Sequence, residues 1–179
     1  MISIITGPVN SGKTTRLLSQ YQACKPDADG FAITKAFHNG IWIGQDLLHL
    51  ATGKSSPFSY LLPHLPPGAA VAVQVGQYAI LKDGLAEAWA IAGSATERRV
   101  KTVFADEFGP VELQGMGLWP VFERLARYAA SGDRRLCMAV RQTCLDGCIG
   151  KLVDKPFHAA IYCKRLHILG AEGFMIEHL

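Results

Sequence analysis

Gly7-Pro8-Val9-Asn10-Ser11-Gly12-Lys13-Thr14 is the stretch on which the fold turns. It satisfies G-x-x-x-x-G-K-[ST] at every fixed position, and a second threonine, Thr15, follows. Glycines allow a tight turn and a close backbone approach to an anion. Successive N–H groups from Asn10 to Thr14 can then form a nest for phosphate oxygens. The helix that follows adds its positive N-terminal end. Pro8 has no N–H and shapes the loop entrance instead. Lys13 is expected on the β- and γ-phosphates of a nucleotide, and the Thr14 hydroxyl on Mg²⁺. The nucleotide-binding set is Gly7, Pro8, Val9, Asn10, Ser11, Gly12, Lys13, Thr14 and Thr15.

Such a loop needs a strand before it and a helix after it, and both are legible. Residues 2–6 are a β-branched run suited to a buried strand. Residues 13–23 read as a helix with Leu17, Leu18 and Tyr21 on one face. Further along, residues 30–35 and 41–48 read as strands joined by His38-Asn39-Gly40, since Asn-Gly favours a hairpin turn. Residues 58–62 and 71–75 read as strands. Residues 78–92 read as a helix ending near Gly93, and residues 100–105 as a buried strand. Residues 119–130 form an amphipathic helix pattern closed by Gly132. Residues 136–140 read as a strand, 145–152 as a short helix, and 159–163 and 174–177 as late strands. The alternation predicts one α/β domain over residues 1–179, a three-layer sandwich around a mostly parallel sheet, with an antiparallel hairpin at the edge.

The second informative stretch is Lys101-Thr102-Val103-Phe104-Ala105-Asp106-Glu107, an apolar run ending in two carboxylates. A parallel strand delivers its carboxyl end to the ligand edge of the sheet. Asp106 is therefore expected to complete the Mg²⁺ site begun by Thr14. Successive strand residues point to opposite faces, which leaves Glu107 for another task, polarising the attacking water. Glu112 has three readings: ordering water, metal or substrate, capping the next helix, or sitting in solvent. The strand over 136–140 ends in Arg141-Gln142. If it lies between the two motif strands, Arg141 can stabilise transition-state charge and Gln142 can face the γ-phosphate; otherwise they are a solvated pair.

Gly7 to Thr15, together with Asp106-Glu107-Phe108-Gly109-Pro110-Val111-Glu112, resembles the small P-loop nucleoside-triphosphatases first recognised in thermophiles, also called the cancer-related nucleoside-triphosphatase family. Residues 30–53 and Val75-Gly76-Gln77-Tyr78 are similar to further parts of that family, so the resemblance spans residues 1–163. It implies a RecA-like sheet and Mg²⁺-dependent hydrolysis of several nucleoside triphosphates, ATP, GTP or others. Carried over by motif, Lys13 and Thr14 take the phosphate and metal roles, and Asp106 and Glu107 the metal and water roles. With Arg141 added from the strand-end reading, the expected catalytic set is Lys13, Glu107 and Arg141, and the metal set Thr14 and Asp106. The Ala139-Val140-Arg141-Gln142 stretch departs from the family's hydrophobic-proline-basic pattern.

Two other classes fit the same motifs. One is a nucleoside or small-molecule kinase, since the loop and Asp106-Glu107 also look like the thymidine kinase pattern. That family holds a zinc with two cysteine pairs, whereas Cys144 and Cys148 form one loose pair that suits packing on a helix face. The other is a nucleotide-gated binding module with negligible turnover. Trp42, Trp89 and Trp119 can stack on a base or pack in the core.

Composition narrows the classes further. Apolar residues make up 49% and charged residues 18%, a globular balance. The net charge of +3 is scattered; Arg98-Arg99-Lys101 and Arg134-Arg135 are small clusters of solvated face, which points to no nucleic-acid partner. The five cysteines are odd in number and not spaced as a disulfide scaffold. No run of about 18 apolar residues exists, so no membrane span is expected. The expectation is a soluble protein in a reducing cytoplasm. Base preference and protein partners leave no trace in the residues.

Overall fold

The structure, a computed structural model, describes residues 1–153 and the two strands Leu166–Gly170 and Met175–His178. Its first strand, β1 (Ile2–Gly7), is buried at every position and runs straight into the glycine loop. Helix α1 (Lys13–Cys24) follows. Then come β2 (Ala28–His38), β3 (Ile41–His49), β4 (Ser55–Leu61), β5 (Val71–Val75) and β6 (Tyr78–Leu81). The later elements are α2 (Lys82–Glu97), β7 (Thr102–Phe108), α3 (Pro110–Leu113), α4 (Trp119–Ala130), β8 (Arg135–Arg141), α5 (Leu145–Val153), β9 (Leu166–Gly170) and β10 (Met175–His178).

Among the described residues, ten strands join one sheet in the order β10-β9-β1-β8-β7-β2-β3-β4-β6-β5. Strands β9, β1, β8, β7 and β2 are parallel neighbours, and β3, β4, β6 and β5 extend the sheet antiparallel. The expected α/β three-layer sandwich stands. Its antiparallel part is longer than an edge hairpin, because the chain turns back after β3 and adds three more strands on that side.

Period-two alternation explains the layers. Ile2 and Ile4 of β1, Val103 and Ala105 of β7, and Leu136, Met138 and Val140 of β8 face one large core. That core is closed by α2, α4 and α5, through Ile91, Phe122, Leu125 and Cys148 among others. The intervening Ile5, Phe104, Cys137 and Ala139 face the other side and pack on Leu17 and Tyr21 of α1. The Tyr21 ring meets Phe104 edge-on at 5.7 Å, and its hydroxyl donates to Leu50 O at 2.8 Å.

Close strand packing selects one glycine strongly. Gly30 has φ +137, and a Cβ there would fall 1.9 Å from the Phe104 carbonyl oxygen. Next to it, the fully buried Asp29 accepts from Gly30 N–H, Ala51 N–H, His49 Nε2 and Arg98. Arg98 is thus an anchor for a buried carboxylate rather than part of a free solvated cluster, and Lys101 pairs with Asp27 at 3.1 Å.

Two expected boundaries change. Tyr78–Leu81 is strand β6 rather than the first turn of a helix, because its apolar residues pair with both β4 and β5. The helix begins at Lys82, with Asp83 in its first turn. Gly93 lies inside that helix instead of ending it; its bare Cα leaves room for the Arg124 guanidinium, 3.3 Å from where a Cβ would stand. The strand expected over 159–163 lies outside the described residues. Among the described residues, no helix is long and apolar enough to cross a membrane.

Candidate functional site

The sheet order brings the two motifs together. Strand β8 lies between β1 and β7, so Gly7 at the end of β1 pairs with Arg141, and Val140 pairs with Phe108. The glycine loop, the acidic pair and Arg141 thereby meet at one edge of the sheet, the crevice where parallel α/β sheets take ligands.

The loop backbone is shaped for an anion. Asn10 has φ 61 and Gly12 φ 85, both left-handed, and Gly12 leads into α1. Left-handed steps of this kind turn successive N–H groups inward. The first turn of α1 holds no acidic residue and no side-chain cap, so its N-terminal N–H groups stay available. Residues 8–12 are exposed. The Lys13 ammonium bends back on the loop and donates to Gly7 O at 3.1 Å and to Pro8 O. Desolvation lowers its pKa from the ordinary value, against the pull of Glu107 and Asp106.

Asp106 is 1% exposed. Its Oδ2 accepts from Ile33 N–H at 3.1 Å and its Oδ1 from Glu107 N–H at 2.9 Å. The Thr14 hydroxyl also bonds to this carboxylate. Burial pushes the Asp106 pKa up to about 6, the charge of Glu107 adds to this, and the bonds from Thr14, Ile33 and Glu107 work against it. Thr14 and Asp106 offer hard oxygen donors already in contact. That suits Mg²⁺, which takes one or two protein oxygens beside phosphate oxygens and water.

Glu107 departs from plain strand geometry. Its φ is 68, and the register between β7 and β8 shifts between Ala105 and Phe108. Strict alternation would send it to the far face. The bulge instead lets it share one cavity with Asp106. Its Oε1 accepts from Arg141 Nη2 at 2.9 Å. Gln142 starts a short 3-10 turn, is exposed, and does not line the cavity.

Glu112 holds the loop together rather than facing the cavity with a free carboxylate. Its Oε2 accepts from Gly109 N–H at 2.9 Å, and its Oε1 from Leu118 N–H at 3.0 Å. It is 4% exposed, and burial raises its pKa. Cys144 and Cys148 pack into the large apolar core. Trp119 packs there too, while Trp89 lies half exposed under Arg124.

One cavity of about 880 Å³ takes in the glycine loop, Asp106, Glu107 and Arg141. It also runs on to residues the motifs do not cover: Lys35 on β2, Trp42 and Gln45 on β3, Phe58 on β4 and Tyr78 on β6. The Asn39-Gly40 turn, with a register shift between Ala36 and Phe37, places Lys35 opposite Gln45. The sequence leaves Trp42 open to a stacking role, and the sheet pairing shows its neighbours.

A three-layer sandwich with a lysine-bearing phosphate loop after β1, facing a buried aspartate from β7 two places along the sheet, defines the class of P-loop nucleotide-binding proteins. The profile of the family described as NTPase matches residues 3–155, and the chain belongs to that family. Membership carries nucleoside-triphosphatase activity in the broad sense and a nucleotide substrate. The fold is similar to the crystal structure of THEP1 from the hyperthermophile Aquifex aeolicus, at 20% identity and TM-score 0.64, covering 87% of this chain and 86% of that one. It is also similar to the solution structure of a human cancer-related nucleoside triphosphatase, at 18% identity and TM-score 0.57, with 83% of each chain covered. A search of curated proteins gave no match.

Proposed function

We propose that the chain is a Mg²⁺-dependent phosphohydrolase that cleaves the β–γ bond of nucleoside triphosphates to give the diphosphate and phosphate. The observation that carries this is the convergence of Lys13, Asp106, Glu107 and Arg141 on one cavity through the order β1-β8-β7. The loop amides and Lys13 grip the phosphates, with Lys13 released from its loop carbonyls to do so. Thr14 and Asp106 would hold the magnesium ion, which when bound supplies positive charge to offset that on the phosphate oxygens. Glu107 orients a water and takes its proton. Arg141 stabilises charge on the transferred group, without which water attack on a polyanion is slow.

Tolerance for several bases follows from this grip, because it reads phosphates common to every nucleoside triphosphate. A reducing cytoplasm suits the buried thiols: burial pushes Cys137 up to about 12 and raises Cys148 as well, so both stay as inert thiols in the core.

One observation favours a second reading, transfer to a hydroxyl acceptor instead of water: the cavity continues past Glu107 over the antiparallel strands. Phosphate release from ATP, GTP, CTP and UTP, with and without magnesium, tests the proposal. Release from several of them that needs magnesium and is lost in Lys13→Ala is expected. Diphosphate formation that appears only with an added nucleoside would replace hydrolysis by transfer. Binding without release above the Lys13→Ala control would leave a nucleotide switch.

A further inference from the structure

The cavity is longer than the phosphate machinery needs. Its lining begins at the glycine loop beyond β1 and ends on β6 and β5, at Tyr78 and Val75. Four strand spacings separate β7, which bears Asp106, from β6. At about 4.8 Å each, that is roughly 19 Å beyond the carboxylate placed on the metal. On the reading above, the γ-phosphate points at Glu107 and Arg141. The nucleoside half of the substrate must then leave in the opposite direction, away from β7. The arm over β2, β3, β4 and β6 is left for something else.

Its walls have a definite chemistry. The Trp42 and Tyr78 rings stand 6.1 Å apart at 58°, and both are half-buried. The Trp42 indole N–H already donates to Gly44 O at 2.7 Å, so the ring offers a face rather than a donor. The Lys35 ammonium lies 5.3 Å from that ring. Gln45 accepts the Ser59 hydroxyl on its Oε1 at 2.9 Å, which leaves its amide N–H groups to donate. Phe58, Ile80 and Ile33 supply apolar floor. An aliphatic ligand would waste the amide and the ammonium. A polyanion would set its charge against Phe58 and Ile80 with one exposed lysine in reach. A planar heteroaromatic bearing carbonyl acceptors meets every wall, since its ring covers the aromatic faces and its acceptor takes the glutamine N–H.

We propose that this arm is a second-ligand subsite that binds a nucleoside while the glycine loop holds a nucleoside triphosphate. The inference rests on the hydrolase reading only for which arm the triphosphate occupies.

The test is calorimetry on the full chain saturated with Mg²⁺ and a non-hydrolysable ATP analogue, titrated in turn with adenosine, guanosine, cytidine and uridine. At least one nucleoside should bind at one site per chain. Trp42→Ala should weaken it about tenfold or more, and Trp42→Phe should restore most of the affinity. Gln45→Ala, which leaves the aromatic wall intact, should weaken it separately, with thermal melts checking that each variant folds. Lys13→Ala, titrated without the analogue, should still bind the nucleoside. No nucleoside heat from a chain that does bind the analogue overturns the subsite and leaves the hydrolase reading standing. So does nucleoside binding seen only without the analogue, or binding indifferent to both Trp42→Ala and Gln45→Ala. An analogue that fails to bind overturns the hydrolase reading instead, and the Lys13→Ala titration then decides the subsite alone.

Discussion

Arg141 Nη2 stands 2.9 Å from Glu107 Oε1, an ion pair between the ends of two adjacent parallel strands. Both side chains are about one-third exposed, at 38% and 33%. Exposed pairs of this kind add little to stability. The pair matters for chemistry, because it joins the residue assigned to water with the residue assigned to transition-state charge. Under the proposed hydrolysis, a γ-phosphate arriving between the loop and β7 would compete with the carboxylate for the guanidinium.

Glu107→Gln should lower phosphate release by about 10² to 10⁴-fold while nucleotide affinity stays within a few-fold. The amide keeps the shape but cannot take a proton. Single-turnover release and calorimetry on the same preparation check both halves. Near-normal turnover would remove Glu107 from its role.

Arg141→Ala should cost about 10³-fold in kcat with a small change in KM, since its contact strengthens as charge moves onto the transferred group. Lysine at this position should recover only part, because it offers a point charge in place of a fork. A rise in KM at unchanged kcat would mean that Arg141 serves ground-state binding alone.

Glu112 should make the fold sensitive to pH. Its pKa is raised from 4.5 by burial, so the folded chain binds more protons there than the unfolded one. The sign follows directly: its contribution is full below pH 4.5 and is lost as pH rises through the folded pKa. Both oxygens accept main-chain N–H groups, so Glu112→Gln turns one acceptor into a donor facing an N–H. The variant should lose about 1–3 kcal/mol and this part of the pH slope. Urea melts from pH 4 to 8 read both quantities; an unchanged slope would sink the assignment.

Asp29→Asn tests the anchor at the opposite end of β2. The amide cannot pair with Arg98 as a charge, and its NH₂ opposes one of the present donors. A loss of about 2–3 kcal/mol, or roughly 4–10 °C in Tm, is expected. Turnover per folded molecule should hold at low temperature, since Asp29 lies outside the cavity lining. A shift under 2 °C would count against the anchor.

What was legible followed from local rules. The loop motif required β1 and α1, and the amphipathic run over 119–130 matches α4 residue for residue. The Asn39-Gly40 turn showed in the residues and sits at positive φ in both positions. Tyr-Ala-Ile-Leu reads as helix because four apolar residues before a helix look like its first turn; pairing with the distant β4 on one side and with β5 on the other makes it a strand. The bend at Glu107 and the Arg98–Asp29 contact depend on neighbours distant in sequence, which no window reveals. The far arm was hidden for the same reason, since Trp42 and Tyr78 belong to strands that meet only through the sheet.

The left-handed backbone at Glu107 has a consequence for selection. A side chain there strains the main chain by roughly 1–2 kcal/mol, whereas glycine would sit at ease. Heat-tolerance screens on this scaffold should therefore enrich glycine at position 107 and return sturdier, inert proteins. At this one residue, durability and turnover pull in opposite directions.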